Sequence, residues 1–287
     1  MKLSVSSYSF SRLIYNGNEN QLSIIKLASE LGFDGIEFTT LEPHNGYSPL
    51  EYAKLLRDEA DKYKLQITSY AVSADFSKET VKEELETIKR QVDIACLLGA
   101  EIMRHDVMMV SPPFPSFPLV LPGIAGACRE SAGYAAEKGV MITVENHGLF
   151  LQDSIRMEQL YAAVNHPNFG LLLDIGNFLC VDEDPVIAVS RLASYAKLVH
   201  MKDFHIKSGS EPNPGEGYFK SRGGNYLRGA ITGQGNVPVK QCIDILRDAG
   251  YGGCLVLEFE GMEDVLQAIR ISIDNLRTYL SFSSDYN

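Results

Sequence analysis

Eight short apolar runs, separated by stretches of helical periodicity, restrict this chain to a repeating β–α architecture. They fall near residues 3–8, 35–39, 65–72, 101–107, 140–144, 169–174, 196–200 and 253–258. Continuous β-branched runs such as residues 140–144 read as strands covered on both faces, the situation of a parallel sheet between helices. Helices are expected over 21–31, from Pro49, over 78–98, up to residue 138, and over 154–164, 185–194 and 262–280. In the third, Val81, Leu85, Ile88, Val92 and Ala95 recur at helical spacing. Right-handed crossovers repeated eight times close into a barrel. The 287 residues suit one α/β domain, a (β/α)8 TIM barrel spanning 1–287, with 281–287 expected to fray. No composition break marks a linker.

Polar groups close four of the runs. Residues 140–144 lead into Glu145, Asn146 and His147, and residues 169–174 end in Asp174. Residues 196–200 end in His200, and residues 253–258 in Glu258. Ligands of parallel α/β proteins sit at the carboxyl ends of strands. Any one of these residues could simply cap the following helix. Four together form a hard, mostly oxygen ligand set for one divalent cation, Mn2+ before Mg2+ or Co2+, with Zn2+ also compatible.

The net charge of −11 argues against nucleic-acid binding, which needs clustered Lys and Arg. The five cysteines are scattered and form no CxxC, so a reducing, cytoplasmic setting is expected. No export signal or run of ~18 apolar residues is present, so no membrane association is expected. Two stretches stand out. Residues 111–122 carry five prolines and read as a stiff, irregular loop. Residues 204–236 are rich in Gly and follow the seventh strand, so a long substrate-covering loop is expected there.

The phrases Val-Glu-Asn-His (144–147), Leu-Asp-Ile-Gly-Asn (173–177), Val-His-Met-Lys-Asp (199–203), Gly-Gln-Gly-Asn-Val (233–237) and Leu-Glu-Phe-Glu-Gly (257–261) resemble the xylose isomerase-like TIM barrels. The resemblance is nearest to their sugar phosphate isomerase/epimerase branch, with its ketose 3-epimerases and inosose dehydratases. It covers nearly the whole chain, including residues 32–37. It implies that Glu145, Asp174, His200 and Glu258 hold one divalent ion and that Glu145 and Glu258 also form the acid/base pair. The chain departs from the pattern in carrying Asn177 where many relatives have His. It also lacks the Arg found shortly after the ligand His in characterised ketose epimerases.

Lys202, His147, Asn177, Arg104, His105 and Glu37 are candidate substrate contacts, with His44 a weaker one. Lys202 could equally pair with a nearby carboxylate, and Tyr8 could wall the pocket, although a core role is expected first. The expected activity is proton transfer beside a carbonyl of a small carbohydrate, as an isomerase or epimerase. The alternative is a lyase or dehydratase that expels a β-leaving group from a keto-sugar, inosose or keto-glycoside. A nuclease of the endonuclease IV type conflicts with only six His and the acidic charge. A non-catalytic binding module conflicts with four intact ligand positions. Association into a homo-oligomer through outer helices or loops is compatible with the sequence.

Overall fold

The computed structural model describes residues 1–77, 81–110 and 113–282. Seven parallel strands come first: β1 (Lys2–Ser6), β2 (Gly35–Thr39), β3 (Gln66–Val72), β4 (Ile102–His105), β5 (Met141–Glu145), β6 (Phe169–Asp174) and β7 (Ala196–Met201). Three short strands follow, β8 (Asp203–Lys207), β9 (Phe219–Lys220) and β10 (Tyr226–Ala230), and then β11 (Cys254–Leu257). Strands β1–β7 and β11 close a barrel in the order β1-β11-β7-β6-β5-β4-β3-β2. The (β/α)8 architecture read from the sequence is therefore the observed one.

Helices pack outside this ring: α1 (Ser11–Tyr15), α2 (Ser23–Glu30), α3 (Pro49–Tyr63), α4 (Val81–Leu98), α5 (Phe117–Glu137), α6 (Ser154–Val164), α7 (Pro185–Leu192), α8 (Val239–Asp248) and α9 (Val265–Ser281). The start of α3 shows local chemistry fixing a boundary. Ser48 and Glu51 form a reciprocal capping box, and Pro49 supplies a pre-set first turn. One large apolar cluster fills the layer between strands and helices. A separate small one, Leu172, Leu198 and Val256, plugs the barrel interior.

Several expected boundaries shift. The first strand stops at Ser6, and residues 7–15 form a 3-10 turn and α1. Residues 117–122 belong to α5, not to an irregular loop, because Pro118 sits in its first turn, where its missing N–H costs little. Pro122 gives up one further bond. The stretch 204–236 is not a plain loop: β8, β9 and β10 pair antiparallel in the order β8-β10-β9. Residues 78–80, expected at the start of a helix, 111–112 of the Pro-rich segment and 283–287 of the expected frayed tail lie outside the described residues. Among the described residues, no helix is long and apolar enough to cross a membrane.

Candidate active site

Strand parity builds the site. Successive side chains on a strand alternate faces, so residues two apart share one. Leu172, Leu198 and Val256 point into the barrel as its plug, and two residues further on stand Asp174, His200 and Glu258. With Glu145, these offer ligand atoms that all lie within 4.8 Å of one another. The four come from consecutive strands β5, β6, β7 and β11 on one side of the ring. Ile102 packs against the same plug, so the same count brings Arg104 inward.

His200 organises the group. Its Nδ1 lies 2.9 Å from Glu258 Oε2, 3.9 Å from Glu145 Oε1 and 4.0 Å from Asp174 Oδ2. Its Nε2 lies 3.1 Å from Glu37 Oε2, which also accepts from Ser69 Oγ at 2.7 Å. A ring held through Nε2–H by an outer carboxylate presents Nδ1 inward, a common arrangement for a metal-ligating His. Asp174 is fixed as firmly. Its Oδ1 accepts from the N–H groups of Gly176 and Asn177 at 2.8 and 2.9 Å. The Asn146 amide bonds the Asp174 backbone on both sides, at 2.9 and 2.8 Å. Asp174 Oδ2 is buried and accepts no hydrogen bond, with the Lys202 ammonium 3.3 Å away. A carboxylate oxygen so placed beside two further carboxylates and an imidazole fits a divalent cation.

Charge balance points the same way. Among the described residues, Glu37, Asp106, Glu145, Asp174, Glu258 and Glu260 face Arg104, Lys202, His200 and His147. Arg104 bonds Glu145 at 2.6 Å and Asp106 at 2.8 Å. Lys202 Nζ lies 3.2, 3.3 and 3.5 Å from Glu258, Asp174 and Glu260. The protonation states follow. Burial pushes Asp174 up to about 6, with Lys202 opposing and Glu145 and Glu258 adding to the shift. Burial would also raise Glu258, but the charges of Lys202 and His200 outweigh it and hold this carboxyl well below its usual range. For His200, burial favours the neutral ring, yet Glu37 and Glu258 win and raise it far above an ordinary histidine. Without a cation, the site keeps protons that a bound cation would displace.

A cavity of about 380 Å³ opens over this cluster, lined among others by Glu37, Arg104, Glu145, His147, His200, Lys202 and Glu258. His147 Nδ1 lies 3.0 Å from Asp106 Oδ1. Asn177 lies beside the cavity and donates from Nδ2 to Glu145 Oε1 at 2.9 Å. Other expected positions differ. His105 faces away from the cavity, edge-on to Phe76 with Nδ1 2.7 Å from its neighbour's carbonyl, and burial depresses its pKa to about 4. Adjacent residues on β4 cannot both point inward, and Arg104 does. His44 packs edge-on against Tyr52, also outside the cavity lining. Tyr8, expected in the core, is 39% exposed and walls the cavity. Asp106 and Glu260 were missed, although each stands two residues beyond an inward-facing one.

The family model for the xylose isomerase-like TIM barrel matches residues 25–279. An L-ribulose-5-phosphate 3-epimerase, UlaE, of Shigella flexneri is 24% identical over 252 residues, 83% of this chain and 81% of that protein. An inosose dehydratase of Bacillus cereus is 24% identical over 243 residues, 80% of this chain and 78% of the relative. The crystal structure of a xylose isomerase-like TIM barrel protein from Mycobacterium smegmatis in complex with magnesium superposes with a TM-score of 0.74 at 18% identity, covering 98% and 96% of the two chains. Barrel closure, the strand-end cluster and this match across most of the chain agree: the protein belongs to the xylose isomerase-like TIM barrel family.

Proposed function

We propose that the protein is a divalent-metal-dependent isomerase or epimerase that moves a proton at a carbon beside a carbonyl of a small carbohydrate. The observation that carries the reading is the gathering of Glu145, Asp174, His200 and Glu258 within 4.8 Å beneath a cavity rich in charged groups. These four side chains would hold the ion, Mn2+ by preference for a hard oxygen set with one imidazole. When bound, the ion supplies Lewis-acid stabilisation of negative charge developing on the substrate's oxygens.

The chain's own residues do the rest. Glu145 and Glu258 stand three strands apart around the ring and serve as proton acceptor and donor on either side of the substrate. Arg104 and Asn177 grip the two oxygens of Glu145 and fix its direction. Lys202, already paired with carboxylates, positions Glu258 and adds positive charge near the reacting carbon. Glu37 aligns His200.

His147, braced by Asp106 at the cavity wall, favours a second reading. It is placed to protonate a departing hydroxyl, as a dehydratase requires, and a relative of that activity is similar along most of this chain. Product analysis separates the two on a panel of ketoses, inososes and keto-glycosides in D2O. Recovered isomer means isomerase or epimerase, and an eliminated product means lyase. Glu145→Gln and Glu258→Gln should each lower turnover by about 10²- to 10⁴-fold. Turnover within about twofold of the parent in both variants rules out the Glu pair.

A further inference from the structure

Next to the 380 Å³ cavity is a second of about 190 Å³ that shares His147, Lys202 and Glu260 with it. That volume is below the ~300 Å³ at which independent ligand sites begin, so the second cavity extends the first. Its wall differs in kind. Phe219 and Phe204 form one side, their rings edge-on at 5.7 Å, and Leu149 and Cys180 form another. Phe204 and Cys180 belong to a buried apolar cluster with Leu227, so this wall is backed by packed core. Phe219 is 40% exposed, leaving ring surface free on the cavity side.

The wall is held in place. Arg222 N–H donates to the Cys180 carbonyl at 2.7 Å. Asp182 accepts from Ser221 Oγ and Asn225 Nδ2, each at 2.7 Å, and from Gly223 N–H. These bonds pin the turn between β9 and β10 and so the position of Phe219. The charged groups of the extension sit at its edges: Lys202 is engaged by three carboxylates, Glu260 adds negative charge at the junction, and Lys220 leans over the Tyr226 ring at 5.5 Å.

We propose that this extension is a subsite for a ring-bearing substituent, so that the substrate is a glycoside-type keto-sugar and not a free one. This rests on the carbohydrate reading of the main cavity. An aryl or second sugar ring lying against Phe219 gains apolar contact that a bare hydroxyl cannot make.

Calorimetric titration of the Mn2+-supplemented protein with phenyl and methyl glucopyranosides, in both anomeric forms, tests the proposal. In one anomeric series the phenyl glycoside should bind about tenfold tighter than the methyl one. Phe219→Ala and Phe219→Leu should reduce that ratio to within about twofold, and Phe219→Trp should keep it. Equal binding of phenyl and methyl glycosides, no binding of either at millimolar concentration, or a ratio unchanged in Phe219→Ala would each overturn the proposal. The reaction is read separately by deuterium exchange. A phenyl preference without exchange sinks the proton-transfer reading alone, and exchange without a preference sinks the subsite alone.

Discussion

Arg104 is the residue on which the acidic half of the site depends. Its guanidinium is buried and bonds both Glu145 and Asp106, so truncating it removes the cation the two buried carboxylates share and leaves them the Asn177 amide and the His147 ring. Arg104→Met should cost about 3–5 kcal/mol in chemical denaturation. Added Mn2+ should restore part of that loss, because a cation beside Glu145 replaces some of the missing charge. A loss below about 1 kcal/mol would show that the pairing is not needed. The protonation states give a second expectation. Asp174 is raised to about 6 and His200 well above its ordinary value, so the ion-free site retains protons at pH values where free groups would have lost them. Protons therefore compete with the ion, and affinity should rise with pH and fall as pH drops through about 6. Titration calorimetry in buffers of different ionisation enthalpy should show proton release on Mn2+ binding at pH 7; affinity unchanged between pH 8 and 6 would contradict this.

At the scale of elements, the barrel strands were legible because burial on both faces leaves a continuous apolar run, and their polar ends marked the four side chains that the fold gathers. His105 could have been set aside from the sequence by parity, since its neighbour Arg104 shares the face of Ile102. The small antiparallel sheet was not legible. Strand β9 has two residues, both exposed, and carries no periodic pattern. What orders the segment is tertiary. Asp203, at the start of β8, collects the N–H groups of Gly233, Gly235 and Val237 at 2.9, 2.8 and 3.0 Å, while Asp182 holds the turn at 221–225. Asp182 has a left-handed backbone (φ 59°), which Asn tolerates, so Asp182→Asn isolates the loss of acceptors from backbone strain. The amide it introduces would face donors. The variant should speed hydrogen exchange at Gly223 and Asn225 by about tenfold while the amides of β5 and β6 stay protected. Unchanged exchange at the turn would mean that the clamp is not what orders it.

At the scale of the whole molecule, closure of the ring brings residues far apart in the chain into one charged basin: Glu37 and His200, 163 positions apart, are in direct contact. The apolar plug sets the floor from which the four candidate ligands rise. Leu198→Ala, two residues below His200, should destabilise the protein by about 2–5 kcal/mol and loosen the ligand cluster along with it. A full-strength Mn2+ site in a destabilised Leu198→Ala protein would separate floor from ligands. The central claim is that this cluster holds one divalent ion that enables proton transfer beside a carbonyl. The most direct measurement is deuterium incorporation into a panel of keto-sugars by the metal-stripped protein, before and after return of one equivalent of Mn2+. The account predicts no exchange in the stripped protein and exchange at a carbon beside the carbonyl once the ion is restored. Exchange that proceeds equally without metal, or an ion that binds undiminished when Asp174 and His200 are both replaced by Ala, would contradict it.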